Sequence, residues 1–348
     1  MHTLAIIGFG GMGGWHAQNI MERVPELKLK GAFDIRPEAL DKAREMGLYA
    51  YESLDEVLND PEVDIVTIAT PNNFHKPLAI KALRAGKNVI SEKPVTLNAA
   101  ELEEIIAVRD ETGKLFSVHQ NRRWDKDYAI IKKILADGTI GTPYFIESRV
   151  QGSGRAMHGW RSYKVNGGGM LLDWGVHLLD RLLVMVPEKV THVFCSLTHV
   201  TNDEVDDGFK MHLTFESGLT AVMEVGTCNF ANLPLWYVCG TDGTAVIDNW
   251  NCEGKMVRLN SWEDKDAVPI LAGAGLTKTM APRGDNSTQT LPLPRVEFDN
   301  NELYMNLVEA IDGTAPQLVT CEQALRVLRL MEAAIRSSET HTVVEFEH

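Results

Sequence analysis

The sequence has no block of basic residues. Lysine and arginine total 34 against 48 aspartate and glutamate residues, so the formal net charge is −14 at pH 7. Nucleic acids and anionic membrane surfaces are bound by basic patches. We therefore expect no nucleic acid and no membrane among the partners of this chain. An anionic ligand would have to be held by local donors such as backbone N–H groups.

Cysteine is sparse, and apolar runs are short. The five cysteines are scattered without C-x-x-C or Cys/His ligand spacing, which gives no support to a zinc site or a disulfide framework. We predict no metal, and buried free thiols in a reducing compartment. The most apolar later segment, Met170–Val186, is interrupted by charged residues and does not reach the ~18 apolar residues of a membrane span. The start of the chain lacks the basic region of a signal peptide, so we expect a cytoplasmic protein.

The chain is long for one hydrophobic core. Its 348 residues exceed the ~250–300 at which a single core usually stops growing. The composition, 44% hydrophobic and 24% charged, is that of an ordinary globular protein. We predict two domains, residues 1–121 and residues 122–348.

Glycines interrupt the chain where its first apolar run ends. Thr3–Ile7 is typical of a buried strand, and Gly8, Gly10 and Gly13 follow with the G-x-G-x-x-G spacing. The first glycine of this spacing permits a turn, the second lets the backbone approach a pyrophosphate, and the third lets helix pack on strand. The N–H groups and positive dipole of the helix start then face the phosphates. We predict a dinucleotide-binding turn formed by Gly8, Phe9, Gly10, Gly11, Met12 and Gly13.

A carboxylate follows the second predicted strand, Leu27–Phe33. Asp34 lies 21 residues beyond Gly13, close to the ~20-residue spacing of an acid that binds the adenosine ribose hydroxyls. It can also cap the helix that begins at Pro37. A carboxylate here repels the 2′-phosphate of NADP, so we predict NAD, although Arg36 could accommodate that phosphate. Adenosine contacts are predicted at Asp34, Ile35 and Arg36.

Strands and helices then alternate along the first third of the chain. Further apolar strands are predicted at Val63–Ala69, Lys87–Ser91 and Leu115–His119, and helices at Pro37–Met46, Ser53–Asn59, Asn73–Ala85 and Asn98–Thr112. This alternation predicts an α/β domain with a doubly wound, parallel Rossmann sheet. Ligands of such sheets lie outside the carboxyl ends of the strands. The segments at that edge are Gly8–Gly13, Thr70–His75, Glu92–Pro94 and Gln120–Trp124.

From about Tyr144 the pattern changes to a period of two. Apolar and polar residues alternate at 209–215 and 219–225, and further strands are predicted at 190–199, 234–239 and 243–248. We predict a C-terminal α+β domain with a large, open, mainly antiparallel sheet. Such a sheet has a second face to cover, so we expect a homo-oligomer, a dimer or tetramer, formed through it.

The last part of the chain has less regular patterns. Residues 263–300 hold several prolines and show no sustained period, so we predict a long irregular segment there. Helices are predicted at Glu302–Ile311 and Glu322–Ser337, with a final short strand at His341–Phe346.

Two groups of residues could carry chemistry. Lys93 follows a buried strand at the ligand edge; it is either a solvated loop lysine or a cation that holds a substrate oxygen beside a nicotinamide. On a helix, Asp173, His177 and Asp180 would share one face. They form either a solvent-facing stripe in which Asp173 satisfies His177, or a site. In a site His177 would be a general base, and Asp173 would orient it or bind substrate.

Taken together, these residues resemble one family, the glucose–fructose oxidoreductase / inositol dehydrogenase / rhizopine catabolism (Gfo/Idh/MocA) oxidoreductases. The resemblance covers nearly the whole chain and rests on motifs that occur in the family's order. These are the glycine turn with Asp34, Ala69–His75, Glu92-Lys93-Pro94, Asn121–Trp124, Trp160-Arg161 and Gly167–Asp180.

The resemblance implies roles for individual residues. Lys93 would contact the reacting substrate oxygen and His177 would be the acid/base, with Asp173 holding substrate hydroxyls or tuning the histidine. Weaker substrate contacts are implied for Asn121, Arg123 and Trp160, each of which could equally be a surface cation or a core aromatic. The motifs also imply cofactor contacts for Thr70, Pro71, Asn72, His75, Glu92 and Lys93, although a structural role at a helix start suits His75 better.

The expected activity is hydride transfer between a nicotinamide cofactor, NAD rather than NADP, and a secondary alcohol of a cyclic polyol, sugar or sugar derivative. Two alternatives keep the same cofactor site. One is a redox-neutral, NAD-dependent glycosidase that oxidises the sugar ring transiently, and the other is a non-catalytic dinucleotide-binding sensor. A stoichiometric change in NAD absorbance distinguishes the dehydrogenase from the glycosidase, and a sensor would turn over no polyol or sugar.

Overall fold

The computed structural model of this chain describes residues 1–154, 157–260, 268–281, 283, 287–299 and 301–347. Within them, no helix is both long and apolar enough to cross a membrane. All five cysteines lie in this part of the chain and are free thiols. Cys195, Cys239 and Cys321 are buried as predicted, whereas Cys228 and Cys252 are only half-buried because they lie in loops.

The N-terminal domain is built on a six-stranded parallel sheet. Its strands are β1 (His2–Ile7), β2 (Leu27–Phe33), β3 (Tyr49–Ala50), β4 (Ile65–Ile68), β5 (Asn88–Ser91) and β6 (Phe116–Val118). Its helices are α1 (Gly11–Arg23), α2 (Pro37–Glu45), α3 (Leu54–Asn59), α4 (His75–Arg84) and α5 (Ala99–Thr112). The strand order β3-β2-β1-β4-β5-β6 places β1 and β4 at the centre. This order confirms the predicted Rossmann sheet.

Local side-chain caps explain where two of these helices begin. The Ser53 hydroxyl accepts a hydrogen bond from the backbone N–H of Glu56 at 3.1 Å, and the Asn98 amide oxygen accepts one from Glu101 at 2.9 Å. A cap of this kind satisfies one orphan N–H of the first turn and contributes about 1 kcal/mol. The helix starts predicted near these residues are therefore confirmed.

The second half of the chain forms a nine-stranded sheet. Its elements are α6 (Lys126–Ala136), β7 (Pro143–Gln151), α7 (Val176–Met185), β8 (Val190–Thr198), β9 (Gly208–Phe215), β10 (Thr220–Gly226), β11 (Trp236–Gly240), β12 (Gly243–Ile247), β13 (Gly254–Leu259), β14 (Ile270–Ala272), β15 (Gly275–Thr277), β16 (Thr288–Pro292), α8 (Glu302–Ile311), α9 (Cys321–Thr340) and β17 (Val344–Glu345). The strand order is β16-β13-β12-β11-β7-β10-β9-β8-β17. Among the described residues, β7 and β10 form the one parallel pair of this sheet, which confirms the predicted, mainly antiparallel sheet.

The irregular segment predicted at residues 263–300 is corrected in part. Thr288–Pro292 pairs with β13 at the edge of the large sheet, and β14 pairs with β15 in a separate hairpin. Residues 263–267, 282, 284–286 and 300 of this segment lie outside the described residues. The prediction failed for β16 because an exposed edge strand with a proline has no apolar alternation and is fixed by its partner strand.

Helices α8 and α9 connect the two hydrophobic cores. Leu303, Tyr304 and Leu307 of α8 belong to the core of the first sheet. Ala324 and Leu328 of α9 join that core, whereas its later apolar residues pack under the nine-stranded sheet together with α6 and α7. The C-terminal segment thus returns to the N-terminal domain and brings the ligand edge of the first sheet close to α7.

Candidate active site

The glycine turn leaves no room for side chains at Gly8 and Gly13, where it packs against neighbouring backbone. Gly8 has φ +91°, and a Cβ on it would come within 2.6 Å of the Ala69 carbonyl oxygen. A Cβ on Gly13 would lie 2.0 Å from the Gly8 carbonyl oxygen, so α1 can approach β1 only without one. Helix α1 starts at Gly11 with no side-chain cap and no acid in its first turn. Its N-terminal N–H groups are therefore available to phosphates, and the turn fits a dinucleotide.

Asp34 is held inward by two backbone donors and an arginine. Its carboxylate accepts hydrogen bonds from the backbone N–H of Phe9 at 2.7 Å and of Arg36 at 2.9 Å. The Arg36 Nε atom donates to it at 3.1 Å. Burial favours the neutral acid, but the hydrogen bonds from Arg36 and Phe9 outweigh it and lower the pKa of Asp34. The carboxylate suited to a ribose and the guanidinium suited to a 2′-phosphate therefore lie side by side.

His75 and Asn72 hold the loops at the edge of the sheet. His75 is the first residue of α4, and its ring nitrogens lie 2.9 Å from the carbonyl oxygens of Thr70 and Pro94. Burial lowers the pKa of this histidine. The Asn72 amide donates to the Gly167 carbonyl oxygen at 2.9 Å. Both contacts support structural roles, with His75 linking two loops at the ligand edge and Asn72 connecting the two domains.

Lys93 and Asp173 meet across the two domains. Lys93 Nζ donates to Asp173 Oδ1 at 2.9 Å and to the backbone oxygen of the same residue at 2.7 Å. The other carboxylate oxygen lies 3.4 Å from Arg161 Nε. Burial raises the pKa of Asp173, but Lys93 and Arg161 together lower it below its ordinary value. Asp173 is therefore an ionised carboxylate between two cations.

Asp173 does not lie on a regular α-helix, which corrects the predicted helical face. Leu171–Gly175 forms a π-helical turn, and α-helical geometry starts only at Val176. The wider turn has an extra residue relative to an α-helix, and such turns are frequent at functional sites. Asp173 consequently pairs with Lys93, whereas Asp180 pairs with Arg123.

His177 lies at the start of α7 and is 4% exposed. Among the described residues its Nδ1 atom has no hydrogen-bond partner, and the Asp173 carboxylate is directed at Lys93 and Arg161 instead. The alternative in which Asp173 satisfies His177 is therefore not what the structure shows. Burial, followed by the charges of Lys93, Arg122 and Arg181, holds the pKa of His177 well below 6.5. The imidazole is neutral at neutral pH and able to accept a proton.

Arg123 is bound by protein groups rather than directed at an open pocket. It donates through Nε at 2.7 Å and Nη2 at 2.6 Å to the two carboxylate oxygens of Asp180, which is buried. Its Nη1 atom donates to the Leu318 carbonyl oxygen at 2.9 Å and to Gln323 Oε1 at 2.8 Å. These four contacts support a structural role that ties α7 to the segment before α9.

Glu92, which precedes Lys93 in the chain, belongs to a buried cluster that the sequence did not indicate. His16 Nε2 and His119 Nδ1 each lie 2.8 Å from Glu92 Oε1. The angle at His119 is not that of a hydrogen bond, so this contact is an ion-pair contact only. The Tyr304 hydroxyl contacts the other nitrogen of His16. Burial raises the pKa of Glu92, but the two histidines outweigh it, so the pKa lies well below 4.5.

The ligand atoms of His16, Glu92 and His119 all lie within 4.8 Å of one another, a set that could hold a metal ion. The two 2.8 Å contacts are hydrogen-bond distances. Ligands on a tetrahedral zinc ion at about 2.0–2.2 Å lie farther apart, at roughly 3.3 Å. The cluster is therefore better described as a clamp on an ionised carboxylate, and the absence of a metal stays a prediction.

Two arginine–tryptophan stacks flank the Lys93–Asp173–His177 set. The Arg161 guanidinium lies 4.5 Å from the Trp160 ring centroid. On the other side, the Arg122 guanidinium lies 4.2 Å from the Trp174 ring and 5.8 Å from the ring of Trp250, and Trp174 contacts His177. Asn121 begins the short turn that carries Arg122. The motifs contain Arg122 and Arg161, but nothing local in the sequence indicates Trp250, which lies between β12 and β13.

Lys93 of the first domain meets Asp173 and Arg161 of the second domain in a charged cleft. Together with a helix N-terminus free for phosphates and an acid after β2, this cleft defines an NAD(P)-binding oxidoreductase. The family description "Oxidoreductase family, NAD-binding Rossmann fold" matches residues 2–120, and "GFO/IDH/MocA C-terminal domain" matches residues 128–246. The chain belongs to the Gfo/Idh/MocA family of oxidoreductases, as the motifs predicted.

Several relatives have named activities or structures. The chain is 30% identical to scyllo-inositol 2-dehydrogenase (NADP(+)) IolW of Bacillus subtilis, covering 99% of this chain and 96% of that protein. It is also 30% identical to the scyllo-inositol 2-dehydrogenase (NAD(+)) of B. subtilis, over 70% of this chain and 72% of that protein. An NAD-binding protein from Listeria innocua superposes with a TM-score of 0.96 at 45% identity, and 99% of each chain is covered.

Proposed function

We propose that this protein is an NAD-dependent dehydrogenase acting on a secondary alcohol of a cyclic polyol, sugar or sugar derivative. The observation that carries the proposal is the contact of Lys93 Nζ with Asp173 at 2.9 Å beside a buried, neutral His177. Lys93, a cation that can hold a substrate oxygen, follows β5, and its charge is among those that lower the pKa of His177, a base that can take the proton. Such a cation and such a base are the two groups that assist alcohol oxidation.

His177, Lys93 and Asp173 would each have a separate role in the oxidation of the alcohol. In the oxidative direction His177 takes the hydroxyl proton, and Lys93 stabilises the negative charge that develops on the oxygen. The C–H bond breaks with its electron pair, and the carbon becomes a carbonyl. The bound nicotinamide supplies the carbon that accepts the hydride. Asp173 keeps Lys93 in place and offers a carboxylate to neighbouring substrate hydroxyls.

The choice of NAD rests on Asp34. Its carboxylate is ionised and held by the backbone N–H groups of Phe9 and Arg36 and by the Arg36 guanidinium, which donates through Nε at 3.1 Å and Nη2 at 3.2 Å. A carboxylate at this position accepts from a ribose hydroxyl and repels a 2′-phosphate. Arg36, which is half-exposed, is the group that could reverse this preference. Relatives with either cofactor in their names occur at the same 30% identity, so both cofactors belong in the test.

The test is turnover of a panel of inositols, pyranoses and simple glycosides with NAD and with NADP. We expect reduced cofactor to form in stoichiometric amounts with product from at least one free polyol or sugar, and kcat/KM to be higher with NAD. Cleavage of glycosides without net reduction would replace this function with the redox-neutral glycosidase. Tight cofactor binding without turnover of any compound would leave only the sensor.

We also propose that the chain forms a dimer or tetramer through the nine-stranded sheet. Helices α6, α7 and α9 cover one face, whereas Phe145, Tyr237 and Phe194 lie on the other, where Phe194 is exposed. The ion pair of Arg149 with Glu224 lies on that same face. We expect light scattering at micromolar concentration to give at least a dimer, and Tyr237→Asp to shift the mass towards the monomer. A wild-type monomer across this range contradicts the proposal.

A further inference from the structure

Arg161 is the cation of the cleft whose positive charge is least balanced by neighbouring carboxylates. Its Nε atom lies 3.4 Å from Asp173 Oδ2, and its side chain is 39% exposed. Among the described residues, which exclude residues 155–156, no other side chain or backbone oxygen pairs with its guanidinium. Arg122, in the matching stack on the other side, differs because it donates to Asp125 at 2.9 Å. Arg161 therefore has free donors where Arg122 is paired.

Arg161 also shares its carboxylate partner, Asp173, with Lys93. The Asp173 carboxylate contacts both Lys93 and Arg161, and its contact with Lys93, at 2.9 Å, is shorter than its contact with Arg161, at 3.4 Å. The single negative charge of Asp173 thus lies between the two positive charges of Lys93 and Arg161. The planar guanidinium fork binds carboxylates and phosphates through two parallel hydrogen bonds, a geometry that lysine does not offer.

The indole of Trp160 orients this fork. With its guanidinium 4.5 Å from the ring centroid, the Arg161 side chain is stacked rather than free to rotate. Its position relative to the reacting centre follows from Asp173, whose two oxygens face Lys93 and Arg161 respectively. A ring whose reacting hydroxyl lies at Lys93 would therefore bring a substituent on a nearby carbon to Arg161.

We propose that Arg161 forms a subsite for an anionic substituent, a carboxylate or a phosphate ester, on the cyclic substrate. The proposal rests on the proposed dehydrogenase function and narrows its substrate class from neutral polyols to acidic sugar or polyol derivatives. The competing explanation is that Arg161 only braces Asp173. In that case its removal would affect neutral and anionic substrates equally.

Three compounds that share one ring test the subsite: glucose, glucuronate and glucose 6-phosphate. We expect wild-type kcat/KM with NAD to be highest for one of the two anions. Arg161→Gln should lower the ratio of kcat/KM for that anion to kcat/KM for glucose about 10- to 100-fold, the range of a lost charge-assisted hydrogen bond. Arg161→Lys should recover part of the loss, because it restores the charge but not the fork. The preferred anion distinguishes a carboxylate subsite from a phosphate subsite.

Arg84→Gln is the matched control. Arg84 is exposed at the end of α4 that leads into the start of β5, at the opposite edge of the sheet from the cleft. It should behave as wild type with all three compounds. Equal losses for glucose and for the anions in Arg161→Gln, or a wild-type enzyme that prefers glucose, overturn the subsite.

A binding measurement keeps the subsite testable without turnover. Calorimetric titration of the NADH-saturated protein, which cannot oxidise the added compound, should show a lower Kd for glucuronate or glucose 6-phosphate than for glucose, and Arg161→Gln should remove the difference. If no compound of any panel is oxidised but this difference is found, the dehydrogenase proposal fails and the anion subsite stands. If the wild type binds the three compounds equally, the subsite is rejected whatever the activity. An unchanged Kd for NAD and an unchanged melting temperature show that the variant is folded.

Discussion

Replacing Lys93 with methionine should lower kcat about 10²- to 10³-fold, the loss seen when one preorganised donor to a developing oxyanion is removed. Methionine keeps much of the length of the side chain but cannot donate to the substrate oxygen or to Asp173, which Lys93 now contacts at 2.9 Å. The Kd for NAD should stay within a few-fold of wild type, because the glycine turn and Asp34 are untouched. Steady-state kinetics with the best substrate of the panel and a fluorescence titration of cofactor binding measure the two effects.

The control for this variant is Lys76→Met on α4. Lys76 pairs with Glu104 on the surface at 3.1 Å and lies 4.0 Å from Glu101, and in the part of the chain that the structure describes it forms no ion pair with Asp173. It should leave kcat unchanged, because surface ion pairs contribute little. Melting temperatures should be compared, since loss of Lys93 leaves Asp173 with Arg161 alone. A folded Lys93→Met enzyme with kcat within a few-fold of wild type would remove Lys93 from the mechanism.

Replacing His177 with asparagine should lower kcat/KM about 10²- to 10⁴-fold, the range attributed to general base catalysis. Its pKa is held well below 6.5 by burial first and then by Lys93, Arg122 and Arg181, against which Glu92 acts weakly. The base form is therefore present at neutral pH and is lost only when the pH falls through this lowered pKa. In the wild type, kcat/KM should be flat around neutrality, with its acidic limb well below pH 6.5.

The pH profile tests the role of His177 more sharply than the rate alone. In His177→Asn the acidic limb assigned to this imidazole should disappear, and the residual rate should be flat through that range. His192→Asn, on an exposed position of β8, should keep both the wild-type rate and the wild-type limb. If the limb persists unchanged in His177→Asn, another group is the base.

Local patterns were sufficient for the N-terminal domain. The spacing of Gly8, Gly10 and Gly13 predicted the turn, because the steric limits around these glycines arise from residues a few positions apart and from the adjacent strand. Asp34 was predicted from its place after β2, and the structure fixes it there with the Phe9 N–H. The strands of this domain other than β3 were found because burial on both faces makes them continuously apolar. The strand β3 was not predicted, because its two residues are not buried and have no apolar pattern.

Features that depend on distant partners were not predicted. The clamp on Glu92 joins residues of α1, of the ends of β5 and β6, and of α8, so its members lie up to 288 positions apart. Trp250 reaches the cleft from the turn between β12 and β13, and β16 is a strand only through its pairing with β13. Such contacts have no local periodicity to indicate them.

The sequence by itself determined the fold class of both halves through short-range spacing and burial pattern, and the family through motifs that occur in the family's order. It also predicted Lys93, Asp173 and His177 as the residues of the reacting centre. Only the tertiary structure decided how those residues are paired. A π-helical turn places Asp173 outside the predicted helical face. Asp180 forms its ion pair with Arg123, and Arg161 keeps free hydrogen-bond donors. The physical reason is that an ion pair depends on the distance between two charges in space, and chain spacing does not fix that distance between elements of different domains.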